Sequence, residues 1–135
     1  MEAKMFRNII VLIGIVVMVG LVSGALAYWR ASVLAAPADV EAKGLPAMRR
    51  QTAIFYGVFV PILVGVIAFF LYRFVNARWP ATAETTFLII IIAIAAIFEV
   101  MAAIVFKMRG LAEFTVFHIL YAFSFGWLMP RLLVF

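Results

Sequence analysis

The chain has no cysteine, one histidine, His118, and one aspartate, Asp39. Without cysteine there is no disulfide, no thiolate metal site and no thiol nucleophile. One histidine cannot supply both axial ligands of a haem. There is no HExxH pair, no Ser-His-Asp set, no phosphate-binding glycine loop and no paired-aspartate motif. An enzyme, a cofactor and a resident metal are all unexpected on these grounds. Charge is scarce as well. Only 13% of the residues are Asp, Glu, Lys or Arg, against about a quarter in a soluble domain. The 11 Lys and Arg outnumber the 6 acids, but they stand at the ends of apolar runs. That placement suits membrane lipid headgroups and sets topology. No basic tract or aromatic-basic interleaving offers a surface for nucleic acid.

What the chain has is hydrocarbon. Hydrophobic residues make up 69% of its 135 residues, and the mean hydropathy is +1.24. A helix needs about 20 apolar residues to cross a bilayer core. Four runs qualify: Ile9 to Trp29, Ala53 to Tyr72, Thr85 to Phe106 and Leu111 to Met129. Tyr28, Trp29, Tyr72, Trp79 and Trp127 fall near run ends, where interfacial aromatic residues belong. The expected fold is an all-α integral membrane protein, with four transmembrane helices in an antiparallel up-down bundle forming one membrane domain over residues 1–135. The first run also resembles a signal peptide, since Lys4 and Arg7 precede it and Ala25-Leu26-Ala27 ends it. It is read as a retained span.

The connections differ in character. Residues 31–52 form the one long loop, expected to lie at the interface. Pro37 opens and Gly44 closes a short helix there, followed by a turn at Gly44-Leu45-Pro46. The third connection, Lys107 to Gly110, is tight and makes the last two spans a hairpin. No internal repeat is legible. Even span number puts both termini on one side. Lys4, Arg7, Arg73, Arg78 and Arg131 would share that side, against Arg30, Lys43, Arg49, Arg50, Lys107 and Arg109 opposite. That balance gives the positive-inside rule little purchase, and Lys4 and Arg7 tip the expectation to cytoplasmic termini.

Inside the spans, polar residues are few enough to single out. Glu99 is the one charge in the third run. Ala95, Ala96, Ala102 and Ala103 are its neighbours at i−4, i−3, i+3 and i+4, so a carboxyl sits in a small-residue helix face. A carboxylate in hydrocarbon normally faces another helix or a wet cavity, and alanines let a second backbone come close. Gly20 and Gly24 form a small-x-x-x-small packing motif in the first span. Gly57 and Pro61 predict a kink in the second, because Pro61 has no N–H for the Gly57 carbonyl. Counted from the nearest run ends, Glu99, His118, Pro61 and Ser23 all lie ~10–13 Å deep at 1.5 Å per residue. Tyr121 is one turn beyond His118. The expectation is an intramembrane polar cluster of Glu99, His118, Tyr121 and Ser23, with Glu99 and His118 within direct or one-water reach.

Two function classes fit. One is a non-catalytic integral-membrane subunit of a larger membrane complex, of respiratory, photosynthetic or oxidase type. It has short loops and apolar faces such as Ile90, Ile94, Ile97, Met101 and Ile104, which suit lipid or other membrane subunits. The alternative is a small homo-oligomeric proton-coupled transporter or channel that uses Glu99, with a second copy of itself as partner.

Overall fold

The computed structural model describes residues 2–133. Those residues are all-helical. Four helical stretches, 2–29, 45–78, 80–105 and 111–132, are long and apolar enough to cross a membrane. They follow from sequence in different ways. The helix α1, Glu2–Trp29, is unbroken, and its buried residues Val19, Ser23, Gly24 and Ala27 form a narrow stripe of small side chains. Two short helices follow, α2 (Ala31–Leu34) and α3 (Pro37–Lys43). Pro37 begins α3, where its missing N–H is harmless. Gly44 ends α3 with φ of +84°, a conformation open to glycine without steric cost.

The second long stretch begins earlier than its hydropathy suggests. Helix α4, Leu45–Ile54, takes up residues expected as a turn and loop. Pro46 lies in its first turn, where proline is tolerated, so it starts a helix instead of breaking one. The chain runs on through a π-helical segment, Phe55–Phe59, into α5, Val60–Arg78. A 3₁₀ turn at Pro80–Thr82 leads to α6, Ala83–Val105. After it Lys107 adopts a positive φ of 54°, and the Met108 N–H returns to the Ala102 carbonyl at 3.3 Å. The last stretch joins α7 (Leu111–Ala122), a second π-helical segment (Phe123–Leu128) and α8 (Met129–Leu132).

Packing falls into two apolar clusters. One joins Val19, Ala27, Leu34, Tyr56, Phe114, Phe117, Tyr121 and Phe125. The other joins Ala68, Val75, Ala83, Phe87, Ile91 and Ala122. Polar contacts tie the ends. Arg30, after α1, forms an ion pair of 2.8 Å with Glu113 in the first turn of α7. The Arg109 and Gly110 N–H groups donate to the Val33 carbonyl at 3.3 and 3.0 Å, so α2 meets the α6–α7 connection. Elsewhere Arg131 reaches Glu84 at 3.0 Å and donates to the Tyr72 hydroxyl.

Candidate functional site

The polar centre of the molecule is a backbone carbonyl. In a regular helix the Val60 N–H would donate to Tyr56, four residues back. Here it donates to the Phe55 carbonyl instead. The next residue, Pro61, has no N–H to offer. The Tyr56 carbonyl is thereby left without a backbone donor, and a buried carbonyl without one is costly. Two side chains answer it. The Ser23 hydroxyl approaches at 3.0 Å from α1, and the Tyr121 hydroxyl donates at 2.7 Å from α7. Ser23 also contacts the Val19 carbonyl of its own helix. Ser23 and Tyr121 are both fully buried, at 0% exposure. Three of the four long stretches meet at this one oxygen.

Glycine makes that meeting possible. A Cβ on Gly20 would stand 3.0 Å from the Gly57 carbonyl oxygen, and one on Gly57 would stand 3.1 Å from that of Gly20. Gly24 packs beside them, with a built Cβ 3.3 Å from the Ala53 carbonyl oxygen and 3.6 Å from the Gly57 Cα. The glycine motif of the first span is therefore used within the chain, against the π-helical turn of the second. A widened turn just before a proline re-aims the carbonyls that the proline would strand. The same device recurs in the fourth stretch. There the Met129 N–H donates to Ser124, and Pro130 follows. Gly126 in that turn is crowded, since a Cβ would lie 2.8 Å from the Ala68 carbonyl oxygen and 2.8 Å from Phe87.

Of the four residues expected to cluster, Ser23 and Tyr121 share the Tyr56 carbonyl. Glu99 makes a contact of its own, with its Oε1 accepting the Thr115 N–H at 3.0 Å. Glu99 lies in line with the buried stripe Phe87, Ile91 and Ala95 of α6 and is half-buried. Thr115 is in the second turn of α7, so the carboxylate sits near the positive end of that helix, which favours it. Of its alanine neighbours, Ala95 and Ala102 are buried, Ala103 is half-buried and Ala96 is exposed. The contact with α7 thus uses one edge of the expected small-residue face.

His118 is committed differently. Its Nδ1 lies 2.7 Å from the Phe114 carbonyl, and since a carbonyl only accepts, Nδ1 carries the proton. The ring stacks on Phe98 with centroids 5.8 Å apart and planes 7° apart. No hydrogen bond or ion pair joins Glu99 to His118 among the described residues. At their shared depth, Glu99 has turned to the α7 backbone and His118 into an aromatic cluster.

Beside that cluster runs a groove of about 620 Å³ between α4–α5 on one side and α6 on the other, with His118 in its wall. Its lining is nearly all apolar. The polar exceptions are Asp39, Gln51, Thr52, Tyr56 and His118. Tyr56 is 1% exposed, and its hydroxyl has no hydrogen-bond partner among the described residues.

Sequence reasoning passed over Tyr56. The available signal was a repeated pattern, Tyr56-Gly57-x-x-x-Pro61 and Phe125-Gly126-x-x-x-Pro130. An aromatic residue, a glycine and a proline at that spacing mark both π-helical turns. No protein-family model, no curated protein and no solved structure matches the chain.

Proposed function

We propose that the chain is a non-catalytic integral-membrane subunit of a larger membrane assembly. Its four long helices cross the bilayer in alternation as an up-down antiparallel bundle, with both termini on one side. The contacts at the helix ends support that arrangement. Arg30 with Glu113 joins the end of the first stretch to the start of the fourth. Arg131 with Glu84 joins the end of the fourth to the start of the third.

One observation carries the functional reading. Ser23, Tyr121 and Glu99, three polar groups inside the long stretches, are all engaged in joining this chain's own helices. The outward faces, by contrast, are unbroken hydrocarbon: Leu21, Phe70 and Ile104 are each about two-thirds exposed or more. Such faces suit lipid and the helices of partner subunits. A proton-coupled homo-oligomer remains the second reading, because Glu99 is half-buried and, among the described residues, only one of its oxygens has a partner.

Glu99 separates the two. Glu99→Gln keeps an acceptor for the Thr115 N–H and removes the ionisable group. In the subunit reading, Glu99→Gln assembles like wild type, whereas Glu99→Leu loosens the α6–α7 contact and lowers assembly yield. Proton-coupled uptake by the wild-type protein in liposomes, abolished by Glu99→Gln in a folded protein, would replace this reading with the transporter.

A further inference from the structure

We propose that the groove between α4–α5 and α6 binds an amphiphile with a hydroxyl group on a long hydrocarbon chain, the hydroxyl donating to Nε2 of His118. This goes beyond a subunit role and does not depend on it. The first argument is shape. Groove-lining residues run from Gln51 to Leu71 along the second stretch, a helical length of ~30 Å, the thickness of a hydrocarbon core. Its volume falls within the range of ligand sites, roughly 300–1,000 Å³. Leu63, Ile67 and Ile94 line it and are also exposed on the outer surface. The groove therefore opens sideways, toward the hydrocarbon from which a lipid would enter.

The second argument is chemistry, and it selects the ligand. A groove for a plain acyl chain needs no polar group in its wall, yet His118 stands there. With Nδ1 donating to Phe114, Nε2 of the neutral ring is an acceptor without a protein partner among the described residues. An acceptor left without a donor in an apolar site is costly, and a ligand hydroxyl supplies the proton that Nε2 lacks. A partner protein's helix would bring mostly apolar side chains and leave Nε2 unmet. A quinol and a glyceride share the required chemistry, a hydroxyl beside a long apolar chain.

Native mass spectrometry of the intact protein in mild detergent tests this. The probes are a decyl-substituted benzoquinol beside its dimethyl ether and dioctanoylglycerol beside its methyl ether. The ether keeps the shape and removes the donated proton. A site built around a hydroxyl discriminates strongly against an analogue lacking it, so at least one parent should bind tenfold or more tighter than its ether. The parent that does so tells a quinol from a glyceride. His118→Phe retains the ring stacked on Phe98 and should erase the preference. Equal binding of both parents and their ethers overturns the proposal in the wild-type protein alone, whatever the variant does. A preference that survives in folded His118→Phe also overturns it, as does cross-linking of a partner protein's helix into the groove.

Discussion

The Tyr56 carbonyl sets the logic at the scale of single residues. It lost its own helical donor to a proline and a widened turn, and it recruits Ser23 and Tyr121 from two other stretches. Each such bond contributes about 1 kcal/mol net, and a buried carbonyl left with none costs about 1–3 kcal/mol. Ser23→Ala and Tyr121→Phe should therefore each lower stability by roughly 1 kcal/mol. Together they should cost more than the sum, since the second removal strands the oxygen. Unfolding of the four proteins in detergent closes the mutant cycle. Simple additivity would mean that a further donor reaches Tyr56. Glu99 works by the same economy on the other side of α7, where the Thr115 N–H receives it.

Among the elements, the glycines report how closely the helices approach. Gly14 has open space where a Cβ would be, Gly20 meets the Gly57 carbonyl at 3.0 Å, and Gly126 meets Ala68 and Phe87 at 2.8 Å. Gly14→Ala should be neutral or stabilising by up to ~1 kcal/mol, from helix propensity alone. Gly126→Ala should destabilise by about 1–3 kcal/mol through overpacking, with Gly20→Ala between them. Thermal unfolding in one detergent ranks the three, and a reversed order would refute the packing described. These elements also mark the limits of sequence reading. The four apolar runs were legible because length and hydropathy alone define them. The small helix at Pro37–Lys43 was legible from its bounding proline and glycine. The start of α4 was not, because Gly44 and Pro46 read equally as a turn or as a helix start, and only the packing of Met48 and Thr52 decides it. The depth estimate placed Glu99 and His118 in one layer but carried no rotational information, and rotation about the helix axis decides which partner each side chain meets. The π-helical turns were invisible to a 3.6-residue period, although the proline that causes each was in plain view.

At the scale of the whole molecule, the long connection between the first two stretches is the most uneven part. An interfacial loop without a core of its own would exchange hydrogen quickly along its whole length. Ala31 and Leu34 of α2 are instead buried, and the Val33 carbonyl receives two N–H groups from the α6–α7 connection. Helix α3 has no buried residue. Deuterium exchange should therefore divide the segment, fast over Pro37–Lys43 and slow over Ala31–Leu34 and the later part of α4. Uniformly fast exchange would mean that α2 does not dock. The outer faces of all four long stretches are apolar, while Ser23 and Tyr121 are turned inward. The central claim is that those faces meet other proteins. Mass determination after mild extraction from the native membrane tests it most directly. The account predicts one stoichiometric particle containing this chain together with unlike subunits. A particle holding only copies of this chain would contradict it.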